Sequence, residues 1–278
     1  MMYRSPAKIL SLLSMIALGF CLGGASCNPL WAHSERGMHT VDHHFHPTFM
    51  HLEFSTPESY ENWRHNQSVQ KEDLTLFLSF SFAPTPENLK DLAPFAERIQ
   101  SLRFTRKASG TITDDHMQVI GSVLPSLRRL SLLKAPITDH GIELIAGLTS
   151  LEKLDMSGAP ITNYGIRLVG RQFPNLRMLG VSWTKVDGQA FSGLMKLENL
   201  RELKAVGIPI EIFHIGHMTG LKSLKKLHLH RKDVQRYKRD IRKLNGDLKI
   251  IPYAATKHRD VKVASTQTKE SQRARPRI

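Results

Sequence analysis

Pairs of apolar residues separated by one position recur along the chain at a nearly constant interval. The pairs are Leu78/Phe80, Leu102/Phe104, Leu130/Leu132, Leu154/Met156, Leu179/Val181, Leu203/Ala205 and Leu227/Leu229. The first leucines of successive pairs are 24, 28, 24, 25, 24 and 24 residues apart. An interval that persists over so many steps indicates an internal repeat in which each unit is one supersecondary structure.

Each repeat predicts a short strand followed by a short helix. Leu130 and Leu132 are two residues apart, so both point to the same face of a strand. The Ala-Pro pair that follows breaks the strand, and the hydroxyl of Thr138 or Thr162 can then accept a hydrogen bond from a free N–H at the start of a helix. Apolar residues three positions apart predict the buried side of that helix: Ile142, Ile145 and Leu148. One unit leaves its apolar edges bare, so only a stack of units is stable.

Two repeats are nearly identical, and their shared sequence resembles a known family. Residues 133–142 read Leu-Lys-Ala-Pro-Ile-Thr-Asp-His-Gly-Ile, and residues 157–166 read Ser-Gly-Ala-Pro-Ile-Thr-Asn-Tyr-Gly-Ile. The pattern Leu-x-x-Leu-x-Leu-x-x-x-x-Ile-Thr-Asp-x-Gly-Ile resembles the cysteine-containing class of leucine-rich repeats, found in F-box substrate receptors and many bacterial proteins, although these repeats hold no cysteine. The resemblance covers residues 74–252. It implies an α/β solenoid of about seven repeats, with a curved parallel sheet on the concave side and short helices on the convex side.

The regions outside the repeats have a different composition. Residues 1–26 predict an export signal, because Arg4 and Lys8 precede an apolar run of 14 residues that ends in small residues. Residues 27–73 predict a histidine-rich lead-in with an aromatic N-terminal cap over the first repeat. A basic helix and an edge strand that ends at Pro252 are expected to close the array. Residues 253–278 show no periodicity, which predicts a disordered tail.

The chain has two cysteines, and both precede the repeats. No disulfide framework and no cysteine-based metal or redox site is therefore expected in the solenoid. Cys27 follows Gly-Ala-Ser and loosely resembles the lipidated cysteine of bacterial lipoproteins, which is one alternative to ordinary cleavage after Ala25 or Ser26. In either case we expect an exported protein that lies in the periplasm, on the outer surface or outside the cell.

We expect the ligand to bind the concave strand surface, because solenoids of this type use that surface for binding. The predicted contact residues occupy outward positions on and beside the strands: Arg103, Arg129, Ser131, Leu133, Lys153, Asp155, Met178, Ser182, Trp183, Lys204 and His228. Small residues in the middle repeats are expected to leave room for a ligand. Large apolar side chains such as Trp183 are the type of anchor that dominates protein interfaces. The sequence thus predicts a monomer that binds a protein ligand.

A histidine-rich segment precedes the repeats and offers a different chemistry. Asp42-His43-His44-Phe45-His46 could supply two or three imidazole ligands to a metal ion from one loop. A metal-binding spacing such as His-Glu-x-x-His is not present. A polar lead-in with clustered histidines is the favoured interpretation, so we expect no cofactor and retain His43, His44 and His46 as the alternative metal ligands.

Catalytic motifs are missing from the sequence, whereas positive charge is abundant. There is no Gly-x-Ser-x-Gly, no glycine-rich phosphate loop and no kinase motif, so no enzymatic activity is expected. The net charge is +14, and the run that begins at Arg231 and ends at Lys243 holds seven basic residues against two acidic ones. With the basic tail, this run could hold anionic lipid or a cell-envelope polymer. Nucleic acid is not expected, because aromatic residues for base stacking are scarce there.

Two alternatives to a protein-binding module follow from these features. The first is a structural protein that is anchored to the cell surface by lipidation of Cys27 or by its basic C-terminal end. The second comes from the resemblance alone, which would also allow a substrate-receptor role of the ubiquitin-ligase-adaptor type. The sequence alone does not identify the ligand under any of the three hypotheses.

Overall fold

The computed structural model describes residues 25–26, 49–65, 74–241, 243–244 and 247–253. Ten strands in these ranges form one sheet whose order follows the chain. They are β1 Ala25–Ser26, β2 Phe49–Phe54, β3 Thr75–Phe80, β4 Ile99–Phe104, β5 Arg129–Ser131, β6 Lys153–Asp155, β7 Met178–Gly180, β8 Glu202–Lys204, β9 Lys226–His230 and β10 Lys249–Tyr253. Strands β2 to β10 run parallel to one another, and β1 pairs antiparallel with β2.

Short helices connect the parallel strands. The α-helices are α1 Pro57–Arg64, α2 Pro86–Lys90, α3 Arg106–Ser109, α4 Asp114–Val123, α5 Asp139–Leu144, α6 Asn163–Gln172, α7 Ile212–His217, α8 Arg231–Arg236 and α9 Lys238–Ile241. Short 3-10 helices cover Ala93–Phe95, Gly188–Lys196 and Met218–Gly220. Strands contact strands and helices contact the helices of the next coil, which gives two layers. The fold is therefore an α/β leucine-rich-repeat solenoid, as the resemblance implies.

The marker leucines form the core between the two layers. They stack in register from strand to strand: Leu102, Leu130, Leu154, Leu179, Leu203 and Leu227. Each of them is at most 2% exposed. Burying a leucine side chain stabilises a fold by about 1.5–3 kcal/mol, so this single column is a major part of the driving force for stacking. The predicted repeat is confirmed by this register.

The parallel sheet begins one coil before the first predicted repeat. In β2, Leu52 pairs with Leu78 and Phe54 pairs with Phe80, so β2 supplies a further marker pair. Beneath it, the rings of Phe54, Tyr60 and Trp63 pack with centroids 5.3 to 6.0 Å apart. The aromatic residues of the lead-in thus do more than cover an edge, because they build a coil of the solenoid.

Two aspartates that follow an Ile-Thr pair, Asp114 and Asp139, link their coils to the coils that come next. The carboxylate of Asp114 accepts hydrogen bonds from the backbone N–H of Thr138, at 2.9 Å, and from its hydroxyl. Asp139 makes the same two bonds with Thr162 in the following coil. A Cβ atom at Gly141 would overlap the Asp114 carboxylate of the preceding coil, and one at Gly165 would overlap Asp139 in the same way, so each glycine leaves space for a carboxylate. Thr138 and Thr162 also cap their helices as predicted, each accepting from a backbone N–H at 3.2 Å.

The C-terminal end differs from the sequence prediction in two details. The predicted basic helix is two short helices, α8 and α9, and the apolar residues Tyr237 and Ile241 in this region are buried. Strand β10 does not end at Pro252 but continues to Tyr253. The N–H of Lys249 donates to the Lys225 carbonyl at 2.8 Å, and alternate residues of a strand point their N–H groups to opposite sides. Pro252 therefore lies at a position whose N–H would point away from β9, so its missing N–H costs no hydrogen bond to that strand.

Candidate functional site

The solvent-facing side of the sheet, hereafter the strand face, presents two columns of side chains. The strand register defines the first column as His51, Phe77, Ser101, Arg129, Lys153, Met178, Glu202, Lys226 and Lys249. The second column is Glu53, Ser79, Arg103, Ser131, Asp155, Gly180, Lys204, His228 and Ile251. Neighbouring members of a column are about 4.8 Å apart, so side chains on adjacent strands are within contact distance.

In the middle of the strand face, an ion pair spans three strands. The Lys204 ammonium on β8 lies 2.9 Å from a carboxylate oxygen of Asp155 on β6. Gly180 on β7 lies between them, and a Cβ there would overlap the Asp155 carboxylate. Asp155 also accepts from the hydroxyl of Ser157 at 2.7 Å and is 6% exposed. The expected space for a ligand is therefore filled by the protein itself, and Asp155 is a buried structural group.

Further hydrogen bonds fix the neighbouring positions toward the C-terminal end. The hydroxyl of Ser182 accepts from the N–H of Val206 at 3.1 Å, and Ser182 is buried. Glu202 lies 3.0 Å from His228 Nε2 and 4.0 Å from the Lys226 ammonium. The predicted contact residues Ser182, Lys204 and His228 are thus engaged with side chains or backbone of adjacent strands.

Trp183 is exposed because of an unusual backbone conformation at a repeated turn. The third residue after each of the strands β5 to β8 has a positive φ: Lys134 (62°), Gly158 (82°), Trp183 (60°) and Gly207 (76°). The Trp183 ring lies over Gly207, where any side chain would overlap it. Trp183 is 50% exposed and Tyr253 38%, and their ring centroids are 6.0 Å apart. Two aromatic side chains therefore face solvent at this edge of the strand face.

The N-terminal end of the strand face carries a second aromatic group, which we call the Phe77 cluster: Phe49, His51 and Phe77. The Phe49 and Phe77 rings are stacked at 5.8 Å, and the His51 ring meets Phe77 at 4.7 Å. The Arg129 guanidinium lies over the Phe77 ring, 5.1 Å from its centroid. Partial burial and the positive charge of Arg129 lower the pKa of His51 below its ordinary value of 6.5, which favours the neutral imidazole.

The structure divides the predicted contact residues into three groups. Arg103, Arg129 and Lys153 lie exposed on adjacent strands near the Phe77 cluster. Ser131 on β5, Leu133 just after β5 and Met178 on β7 are half-buried. The remaining residues lie in the hydrogen-bonded C-terminal half or at the Trp183 turn.

The Phe77 cluster was not among the predicted contact residues. Two of its members belong to β2, which the sequence prediction assigned to the lead-in. The marker pair Leu52/Phe54, which lies 26 residues before Leu78/Phe80, is the signal that would have revealed this strand. Phe49 and His51 then follow, because residues three and one before the buried Leu52 point to the outward face of the same strand.

Several predicted features lie outside the described residues. These are Cys27, the candidate metal ligands His43, His44 and His46, and the tail beyond Tyr253. Within the part of the chain that the structure describes, no group of three or more His, Cys, Asp or Glu side chains could hold a metal ion. In the same residues, none of the helices has the length and apolar character needed to span a membrane.

Comparison with known proteins adds little to the geometry. No protein-family model and no curated protein matches the chain. Among solved structures, the chain is similar to an internalin from Listeria monocytogenes, with 16% sequence identity and a TM-score of 0.45. The alignment covers 73% of this chain and 72% of the internalin. The fold assignment therefore rests on the strand register and the buried leucines, and the F-box-like repeat class stays a prediction.

Proposed function

We propose that this protein is an exported, non-catalytic module that binds a protein partner through its strand face. The observation that carries this proposal is the set of exposed aromatic side chains on and beside that face: Phe49, Trp183 and Tyr253. Exposed aromatic residues beside arginine are enriched at the energetic centres of protein interfaces. The parallel sheet supports them rigidly, because each strand is hydrogen-bonded in register to its neighbours.

The fold itself supports a binding function. Each coil contributes a short strand to one long surface, and an array of this kind gives an extended area for recognition without a deep pocket. A typical stable protein interface buries about 800 Å² on each partner, and a sheet of nine parallel strands provides a surface of that scale.

Site-specific photocrosslinking tests this proposal. A photoreactive amino acid is placed at Ser101 or Trp183 on the strand side, and at Met195, an exposed apolar residue of the 3-10 helix Gly188–Lys196, as the matched control. The chain is expressed with its leader in a bacterium that exports it. We expect one discrete crosslinked protein from the strand-side positions and none from Met195. Equal labelling from all three positions, or none from the strand side, would contradict the proposal.

A surface-anchored role is a second candidate, and one observation favours it. The basic side chains of α8 and α9 are exposed, among them Arg231, Lys232 and Lys238. Exposed cations at one end of the solenoid could hold anionic lipid or an envelope polymer by charge. Cosedimentation with anionic vesicles at low and high salt tests this candidate, which predicts binding that salt abolishes.

A further inference from the structure

We propose that the Phe77 cluster and Arg129 form a subsite for a carboxylate of an acidic peptide segment that also carries an apolar side chain. The inference rests on the proposed function and specifies the chemistry of the partner at one end of the strand face. Its basis is a guanidinium held in position by aromatic rings, within a group of cations that the described part of the chain leaves unbalanced.

The rings position the Arg129 guanidinium. Phe77 lies under it at 5.1 Å, and Phe77 is itself held by the stacked ring of Phe49 and the edge of His51. A guanidinium that stacks on a ring through its face keeps its N–H donors free in the plane of the group. Those donors match the two oxygens of a carboxylate, which they can bind in a bidentate manner. The cluster thus fixes Arg129 before a ligand arrives.

Arg129 and the two cations beside it form no ion pair with a described acidic residue. Arg103 lies on the preceding strand and Lys153 on the next, and both are exposed. The described carboxylates nearest in register have other partners. Glu53 accepts from the Ser81 hydroxyl at 3.1 Å, Glu152 pairs with Arg128 at 3.1 Å, and Asp155 pairs with Lys204 at 2.9 Å. Three like charges on adjacent strands repel one another, and a negatively charged partner would relieve this repulsion.

The apolar part of the subsite favours a peptide over a polyanion. Phe49 is 42% exposed and lies at the end of the cluster away from Arg129. A polymer of sulfate or phosphate groups would use the cations but would gain nothing from this exposed ring. Arg129 on β5 and Phe49 on β2 are three strands apart, a distance that an extended peptide covers in a few residues. Such a peptide can place a carboxylate on Arg129 and an apolar side chain against Phe49.

A selection from a display library of random peptides tests the proposal on the full chain. Selected peptides are synthesised, and their affinities are measured by fluorescence anisotropy for the wild type and four variants. Arg129→Gln removes the guanidinium, and Phe77→Leu keeps the apolar volume but removes the ring beneath it. Lys226→Gln changes a cation at the other end of the strand face, and Arg106→Gln changes an exposed cation on α3. Thermal unfolding confirms that each variant is folded, and heparin and phosphatidylglycerol vesicles are measured as competing anions.

We expect peptides that contain Asp or Glu together with an aromatic or aliphatic residue. Their affinity falls about tenfold or more in Arg129→Gln and by a smaller factor in Phe77→Leu, and is unchanged in Lys226→Gln and Arg106→Gln. The smaller effect of Phe77→Leu would identify Phe77 as a positioning residue, since the charge remains.

Other results would overturn the inference in distinguishable ways. Selected peptides without carboxylates, or peptides affected by Lys226→Gln and not by Arg129→Gln, contradict the acidic subsite and leave strand-face binding intact. Peptides whose affinity is unchanged in Arg129→Gln, Phe77→Leu and Lys226→Gln, or a library that yields no binder, contradict both proposals. Heparin or vesicles that bind with the same variant pattern while peptides do not would show a polyanion site.

Discussion

The two halves of the strand face are built from the same repeat but treat their charges differently. On β6 to β9, charged side chains pair across strands, as Asp155 does with Lys204 and Glu202 with His228. On β3 to β5 and the start of β6, exposed Arg103, Arg129 and Lys153 have no ion pair to another described residue, and the Arg129 guanidinium lies over the Phe77 ring. The C-terminal half therefore pairs its charged side chains internally, whereas the N-terminal half has three exposed cations without an ion pair among the described residues.

This difference shows that an outward position in a repeat is not equivalent to an available contact. Asp155 and Arg103 belong to the same column, yet the first is buried in an ion pair and the second is exposed. The cause is the neighbouring residue. Gly180 lets the Lys204 side chain reach across β7, while Ser131 separates Arg103 from Asp155 and no acid lies next to Arg103 in that column.

The largest expected effect comes from filling the gap at Gly180. Gly180→Ala places a Cβ where the Asp155 carboxylate lies, so the buried carboxylate must leave its partners Lys204 and Ser157. We expect the free energy of unfolding to fall by about 3 kcal/mol, as when a buried ion pair is broken. Urea unfolding followed by circular dichroism measures the change.

A matched substitution in the other half serves as the control. Ser131→Ala alters the same column two strands away and is expected to change stability by about 0.5 kcal/mol or less. Equal losses in the two variants would mean that the central ion pair has no structural role and that the two halves do not differ as described.

The repeat and its fold follow from the sequence. Leu-x-apolar pairs that recur about every 24 residues can all be buried when successive coils stack with their leucines in register. The helix caps at Thr138 and Thr162 follow as well, since a hydroxyl at that position has a local role. The roles of Asp114 and Gly141 do not follow from the sequence. Asp114 accepts a hydrogen bond from Thr138 in the next coil, and Gly141 has no side chain that would overlap the Asp114 carboxylate. Such contacts exist only once neighbouring coils are stacked.

The candidate site was also predictable only where it depends on local sequence pattern. Alternation on a strand places Arg103, Arg129 and Lys153 outward, and the structure finds them exposed. The sequence could not show that Asp155 is buried, because its partner lies 49 residues away on a strand that is not adjacent. The Phe77 cluster needed the strand β2, whose aromatic residues hide the leucine pattern.

Removing one cation from each half sharpens the comparison. Lys204→Gln leaves the buried Asp155 without its ionic partner, so we expect a loss of about 1–3 kcal/mol in the free energy of unfolding. Arg129→Gln loses the contact with the Phe77 ring but also removes a charge from the unbalanced group, so we expect these effects to offset and the free energy of unfolding to change by about 0.5 kcal/mol or less. Urea unfolding of both variants at low salt measures the difference.

A double-mutant cycle gives the control for this pair. Asp155→Asn combined with Lys204→Gln should recover part of the loss, because no charge then stays buried and unpaired. A loss in Arg129→Gln as large as that in Lys204→Gln would show that Arg129 is already satisfied within the folded chain, and the subsite proposed around it would then lack its free guanidinium.

The smallest expected effect is a pH dependence of stability that comes from His51. Burial and Arg129 lower its pKa in the folded chain below the ordinary 6.5, so protonation favours the unfolded chain. The stabilising contribution of neutral His51 is complete above about pH 6.5 and is lost as the pH falls through the lowered value. Because the side chain is largely exposed, we expect the free energy of unfolding to change by about 0.5 kcal/mol or less between pH 7.5 and 5, measured as the difference between wild type and His51→Gln.

In an Arg129→Gln background the difference should shrink but persist, since burial is the larger cause of the lowered His51 pKa. An unchanged difference would mean that Arg129 exerts no charge on the Phe77 cluster.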